Sequence, residues 1–182
     1  MTKADDVLLE LNRKLAAYMK SIFPFQYEGK VYQLINNYVA SPYMRCQVCG
    51  NYPIIEVSVI ESEDYRQLRV GNDCIDRLTN RKVSIWFKNY RKKRENVIRN
   101  RKYINELSLI LTASRRNELA FQIRDCDFET LRLMLEKMVN GVNPGRREEQ
   151  IAECYIRRKK QGLNQESPLL AANLLQIDRF KT

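Results

Sequence analysis

The chain has 182 residues, 44% of them apolar and 30% charged, with five cysteines, no histidine and a formal net charge of +10. That length can bury a real core, as one domain or as a small module beside a helical body. An odd cysteine count, with two of the five spaced C-x-x-C, suits a reducing compartment rather than a disulfide scaffold. Residues 1–10 are acidic and polar, unlike a signal segment, and apolar runs such as 107–113 fall far short of a membrane span. The expectation is an intracellular protein, of the cytoplasm or nucleoid, with no membrane partner. The charge excess is local: residues 77–102 hold eleven Lys or Arg against one acid, Glu95, and the remainder carries 21 of each sign. A block this concentrated is the footprint expected for a polyanion.

In chain order, Asp5 and Asp6 precede Val7, Leu8, Leu11, Leu15, Tyr18, Met19 and Ile22, an amphipathic helix that Pro24 ends. Residues 27–43 are tyrosine-rich, and residues 30–35 fit a strand or a short helix equally. These aromatics are expected to close a core rather than stack on bases.

Cys46-Gln47-Val48-Cys49-Gly50 aims two sulfurs at one point, and Cys74 in Gly71-Asn72-Asp73-Cys74 answers them. Between the two lie residues 54–60, β-branched and partly alternating, then a polar stretch, then residues 67–70. This reads as a hairpin. Asp73 is expected to cap a helix that begins at Cys74. Knuckle, hairpin and a cysteine at a helix start, over residues 44–80, resemble the treble-clef zinc finger. The order C-x-x-C-G then V-G-x-x-C is similar to small zinc modules of phage and plasmid proteins. The resemblance implies Zn2+ held by Cys46, Cys49 and Cys74. A full treble clef places another ligand where Gly71 stands, so the fourth ligand is open: Asp73, a distant cysteine (Cys126 or Cys154), a water, or nothing. Cys126, between two aspartates, is the better spare ligand; Cys154 is expected in a core.

From Val83 the pattern becomes a long helix. Val83, Tyr90, Val97, Ile104 and Leu111 recur every seven residues, with Trp86 and Leu107 in the companion seam and Lys93 and Asn100 interrupting it. The polar middle of this seam is expected to meet solvent or a partner. On the opposite face fall Arg81, Lys88, Arg91, Lys92, Arg99 and Lys102. Further on, helices are expected over 114–124, over 128–139 with Asp127 as cap, over 145–160 after Asn143-Pro144, and from Ser167-Pro168 to 179. A second basic cluster, residues 157–160, sits where a helix C-terminus favours cations anyway.

The expected fold class is α+β, mainly α. It comprises an N-terminal helix and packing segment (1–43), a zinc module of knuckle plus hairpin (44–80), a long basic helix (81–113) and a C-terminal helical bundle (114–182). Enzymes are argued against by absent parts. The histidines of ββα-metal nucleases, the H-x-E…P-C-x-x-C pattern of zinc deaminases, the phosphate loop and the G-x-S-x-G elbow are all missing. The expectation is a non-enzymatic nucleic-acid-binding protein, for DNA or RNA, gripping phosphates with the basic helix. The alternative is a subunit of a ribonucleoprotein or viral assembly, its stripe and polar seam meeting RNA or neighbouring protein subunits.

Overall fold

A computed structural model describes residues 1–119 and 121–161. The elements run α1 (Lys3–Lys20), β1 (Phe25–Tyr27), β2 (Lys30–Met44), β3 (Ile54–Ser62), β4 (Gln67–Val70), α2 (Asn72–Thr79), α3 (Val83–Arg99), α4 (Arg101–Arg115), α5 (Asp125–Val139) and α6 (Arg146–Gln161). The fold class is mainly helical α+β, as the sequence implied. No helix among the described residues is long and apolar enough to cross a membrane. The chain divides into two compact units, Leu8–Arg94 and Met1–Val7 together with Glu95–Thr182.

In the unit Leu8–Arg94, four antiparallel strands form one sheet in the order β1-β2-β3-β4. The ambiguous residues 30–35 are strand, and β2 continues to Met44, so the position 43/44 lies inside a strand. Its length was hidden because register shifts between Leu34 and Asn36, and between Val39 and Met44, disrupt the alternation expected of a half-buried strand. Glu28 and Gly29 turn β1 into β2 with φ of 47° and 72°. Two successive left-handed residues are what a tight hairpin matching strand twist requires. The expected β3–β4 hairpin is present, with Ser58 opposite Val70 and Glu61 opposite Gln67.

The core here gathers Ile22, Tyr32, Leu34, Ile60, Leu68, Val70, Ile75, Val83 and Phe87, and it includes Cys46 and Cys74. Trp86 is half-buried and lies between two parallel rings, Tyr18 at 3.8 Å and Tyr90 at 5.7 Å between centroids. Of the tyrosines in 27–43, Tyr32 is buried in this core and Tyr27 packs against it, as expected, whereas Tyr43 is exposed. The segment α2 ends at Asn80, where a left-handed residue (φ 49°) lets the Arg81 N–H reach the Asp76 carbonyl. Asp76 then takes over the next helix: its carboxylate accepts the Ser84 N–H at 2.8 Å and hydroxyl at 2.6 Å, capping α3.

In the other unit, α4, α5 and α6 pack on one another around Ile104, Leu107, Ile110, Leu131, Met134, Met138, Ala152 and Ile156. Three sequence expectations are corrected here. The long helix is two helices: Asn100, at φ −90° and ψ 8°, separates α3 from α4. Where Asn100 interrupts the seam, the place is filled from within the chain. Asn96 donates to the Gly141 carbonyl at 2.8 Å, and Asn100 donates to the Asn96 carbonyl and to Asn143 Oδ1. The expected helix 114–124 is not found among the described residues, because α4 stops at Arg115. There Asn117 (φ 55°) closes a C-terminal cap in which the Glu118 N–H reaches the Ala113 carbonyl at 2.9 Å.

Asp127 is not a terminal cap either. The helix α5 begins two residues earlier, and Asp127 is buried, accepting the Tyr155 hydroxyl at 2.7 Å and pairing with Arg124 at 2.8 Å. Cys154, expected in a core, is exposed, because α6 turns Ala152, Tyr155 and Ile156 inward instead. The helix expected from Ser167 to 179 lies outside the described residues.

Candidate metal centre

The turn after β2 folds back on itself through three backbone bonds. Cys46 N–H donates to the Asn51 carbonyl and Gly50 N–H to the Cys46 carbonyl, each at 2.9 Å, while Gln47 N–H reaches the Arg69 carbonyl of β4 at 2.9 Å. Gly50 closes the turn at φ +75°, a conformation that favours a residue without Cβ. The knuckle is thereby tied to the hairpin, and Cys74, in the first turn of α2, completes the group. The sulfurs of Cys46, Cys49 and Cys74 all lie within 4.8 Å of one another. Three thiolates on a tetrahedral ion, each about 2.3 Å from it, would stand roughly 3.8 Å apart, so a small inward shift suffices. Cys46 and Cys74 are 1% and 2% exposed, whereas Cys49 is exposed. These three residues could hold a metal ion.

The surroundings prepare the sulfurs unequally. Burial works against a thiolate at Cys46, but the N–H groups of Gly71, Cys49 and Val48 outweigh it and hold the thiol below its ordinary value. The Gly71 N–H lies 3.4 Å from that sulfur. Cys74 is pushed up to about 11, by burial first and then by its Cys49 neighbour, against an opposing hydrogen bond from Arg77. The Arg77 guanidinium approaches Cys74 Sγ at 3.3 Å. The thiolate is favoured at Cys46 and resisted at Cys74. A divalent cation would override that difference, since it would displace the protons from all three sulfurs.

Of the proposed fourth ligands, neither Asp73 nor Cys126 has its ligand atom in this group. Asp73 is exposed and lines the same cleft, a space of about 480 Å³ bordered also by Asn51, Glu56 and Asn72. It does not cap α2; Gly71 occupies that position. Cys126 lies at the start of α5, in the other compact unit. Gly71 itself could not readily be a cysteine: a Cβ there would meet Ile54 Cγ2 at 2.9 Å.

The basic face is less uniform than its spacing implied. Lys88, Lys92, Arg99 and Lys102 are exposed and, among the described residues, have no ion-pair partner. Arg81 is exposed but donates to the Ser21 carbonyl at 3.0 Å and lies over the Phe23 ring. Arg91 is different. Its guanidinium pairs with Glu56 at 2.6 Å, with side chains only 18% and 23% exposed, and it also donates to Asn37 Oδ1. Glu56 in turn accepts Asn72 Nδ2 at 2.7 Å. Arg91 therefore joins α3 to β3 and the start of α2 instead of facing outward. Charge counting missed this, because Glu56 is far away in sequence. Arg77 was missed as well, although its place three residues after Cys74 on one helix was a usable signal. In the second basic cluster, Lys159 pairs with Glu106 at 3.0 Å and Arg158 lies over Phe121 and Tyr155.

Comparison with known proteins finds no family model, no curated protein and no solved structure that matches this chain.

Proposed function

We propose that the chain is a nucleic-acid-binding protein of the cytoplasm or nucleoid, without catalytic activity, in which zinc on Cys46, Cys49 and Cys74 fixes a treble-clef-like module beside a phosphate-gripping helix. The observation that carries the binding reading is the division of labour on α3. Val83 and Phe87 are buried in the sheet core, while Lys88 and Lys92, one turn apart, stand exposed with no acid paired to them among the described residues. A merely solvated helix face usually interleaves signs, and here Glu95 is the single acid of the block. Zinc is the ion that three soft thiolates at this spacing favour. The assembly-subunit reading drew on a seam left open for a neighbour, and Asn100 now bonds to Asn143 of its own chain.

The test is a titration with labelled single- and double-stranded DNA and RNA at two salt concentrations. Every lysine that no longer reaches a phosphate should flatten the log–log salt slope by about 0.9 on duplex or about 0.7 on single strands. Lys88→Gln with Lys92→Gln should therefore remove about 1.8 on duplex. No affinity for any of the four probes at low salt would sink the proposal and put the assembly-subunit reading ahead. Elemental analysis of protein purified without added metal checks the zinc separately, with about one equivalent expected from three thiolates closing one site.

A further inference from the structure

Given a zinc ion on the three thiolates, as proposed above, its fourth position is decided by what surrounds it. The place from which a complete module of this kind would supply another cysteine is Gly71, and there Ile54 Cγ2 stands 2.9 Å from any added Cβ. Ile54 is β-branched and begins β3, so the obstruction is stiff rather than the loose end of a long side chain. The other ligand-type residue on the rim of the cleft near Cys74, Asp73, keeps its carboxylate outside the sulfur group. Cys49, the exposed member, marks the side on which the group opens to solvent.

We infer that the metal keeps an exchangeable fourth position facing this cleft, filled by water at rest and open to a neutral nitrogen donor of the imidazole class. The charge balance selects the class. A divalent ion with three thiolates already carries a net negative charge, and Asp73 adds an exposed carboxylate to the cleft wall, where Glu56 is already paired with Arg91. Among the described residues, the cation in contact with the sulfurs is Arg77, which is already engaged with Cys74. A further thiolate or a phosphate would enter against that field, whereas a neutral donor would not. Because the chain contains no histidine, an imidazole must come from another molecule, either free or as a histidine of a bound partner.

Cobalt(II) substitution reads the position directly, through the sulfur-to-cobalt charge-transfer band and the ligand-field bands. Imidazole should shift the ligand-field bands saturably while the charge-transfer band persists; inorganic phosphate should leave both unchanged. Asp73→Asn and Cys126→Ser should each leave the resting spectrum as it is, since neither side chain is a ligand. Ligand-field bands indifferent to imidazole would overturn the inference, as would a resting spectrum altered by either substitution. Loss of the charge-transfer band on adding imidazole would mean extraction of the metal, and would also overturn it. Failure to take up cobalt at all is a separate outcome, which removes the metal reading together with the open position.

Discussion

In the unit Leu8–Arg94, two of the buried core residues are thiols, Cys46 and Cys74, packed with Tyr32, Ile60 and Phe87. In the unit containing α4, α5 and α6, the buried set is mostly aliphatic, with Met134, Met138, Phe121 and Tyr155, and its polar members Asn96, Asn100 and Asp127 each have a hydrogen-bond partner. On the zinc proposal, the first core contains groups whose favoured state depends on an ion that the chain does not supply. The second is complete in its own side chains. Burying a thiol that must later become a thiolate makes local folding and metal binding one equilibrium, whereas a core of Leu, Ile and Met answers only to packing.

The largest effect should follow removal of the metal or of one thiolate. Structural zinc in small modules is bound with an apparent free energy of about 10–16 kcal/mol at neutral pH, far more than a core this small can spare. Chelation, or Cys74→Ser, should therefore loosen the unit Leu8–Arg94. Trp86 is the single tryptophan and lies in that unit, so its emission reports it alone. Helical circular dichroism from α4, α5 and α6 should largely remain. Unchanged Trp86 emission and melting after chelation would break the comparison, leaving an ordinary core that happens to contain cysteines.

The converse variant is Met134→Ala, at a fully buried position of α5. Truncating a core methionine costs about 2–5 kcal/mol, and here that destabilisation should appear in the helical signal while metal uptake per chain stays the same. A metal stoichiometry that falls with it would mean that the two cores are not separable.

Glu56→Gln should be smaller, about 1–3 kcal/mol, because it weakens the pair with Arg91 and leaves that guanidinium partly buried without a full counter-charge. Burial raises the Glu56 pKa, but hydrogen bonds from Asn72 and Arg91 and the Arg91 charge outweigh it and leave it lowered. A carboxyl with a depressed folded pKa contributes stability above its unfolded value and loses it as pH falls through the folded one. The wild-type protein should therefore show an extra loss of stability below about pH 4 that the Gln variant lacks. Tyr103, pushed up to about 12 by its bond to Glu153, should act at the other end, its contribution fading as pH rises from about 10 to 12.

What the sequence disclosed about these units follows from the range of each interaction. The knuckle, the β3–β4 hairpin and the cysteine at the start of α2 are local patterns, and they are where the spacing put them. So is the stop near Asn140, where the left-handed Gly141 ends a helix. Asn117 carries the same signal, but it sits among good helix formers whose summed propensity hid it. The long-range facts were not legible. The strand β2 loses its alternation to register shifts against β3, and Arg91 looks like any other cation until Glu56 is folded against it. Gly71 was visible as a gap in a motif; only packing shows that Ile54 fills it.

The smallest effects on stability separate cations that the sequence could not. Lys88 and Lys92 are exposed and touch no acid among the described residues, so each change to Gln should alter stability by less than about 0.5 kcal/mol. Arg91→Gln should do the reverse of both. It should cost about 1–3 kcal/mol in the unit Leu8–Arg94, because Glu56 is left half-buried without its partner. It should also leave the salt slope of nucleic-acid binding nearly unchanged, since a guanidinium held by Glu56 and Asn37 releases no counterion from a phosphate. Denaturant melts followed by Trp86 emission and binding titrations at two salt concentrations measure the two quantities on the same three proteins. If Arg91→Gln flattens the slope as much as Lys92→Gln, the guanidinium must leave Glu56 on binding. The Glu56–Arg91 pair would then be a resting interaction that nucleic acid displaces, and Glu56→Gln should tighten binding rather than leave it alone.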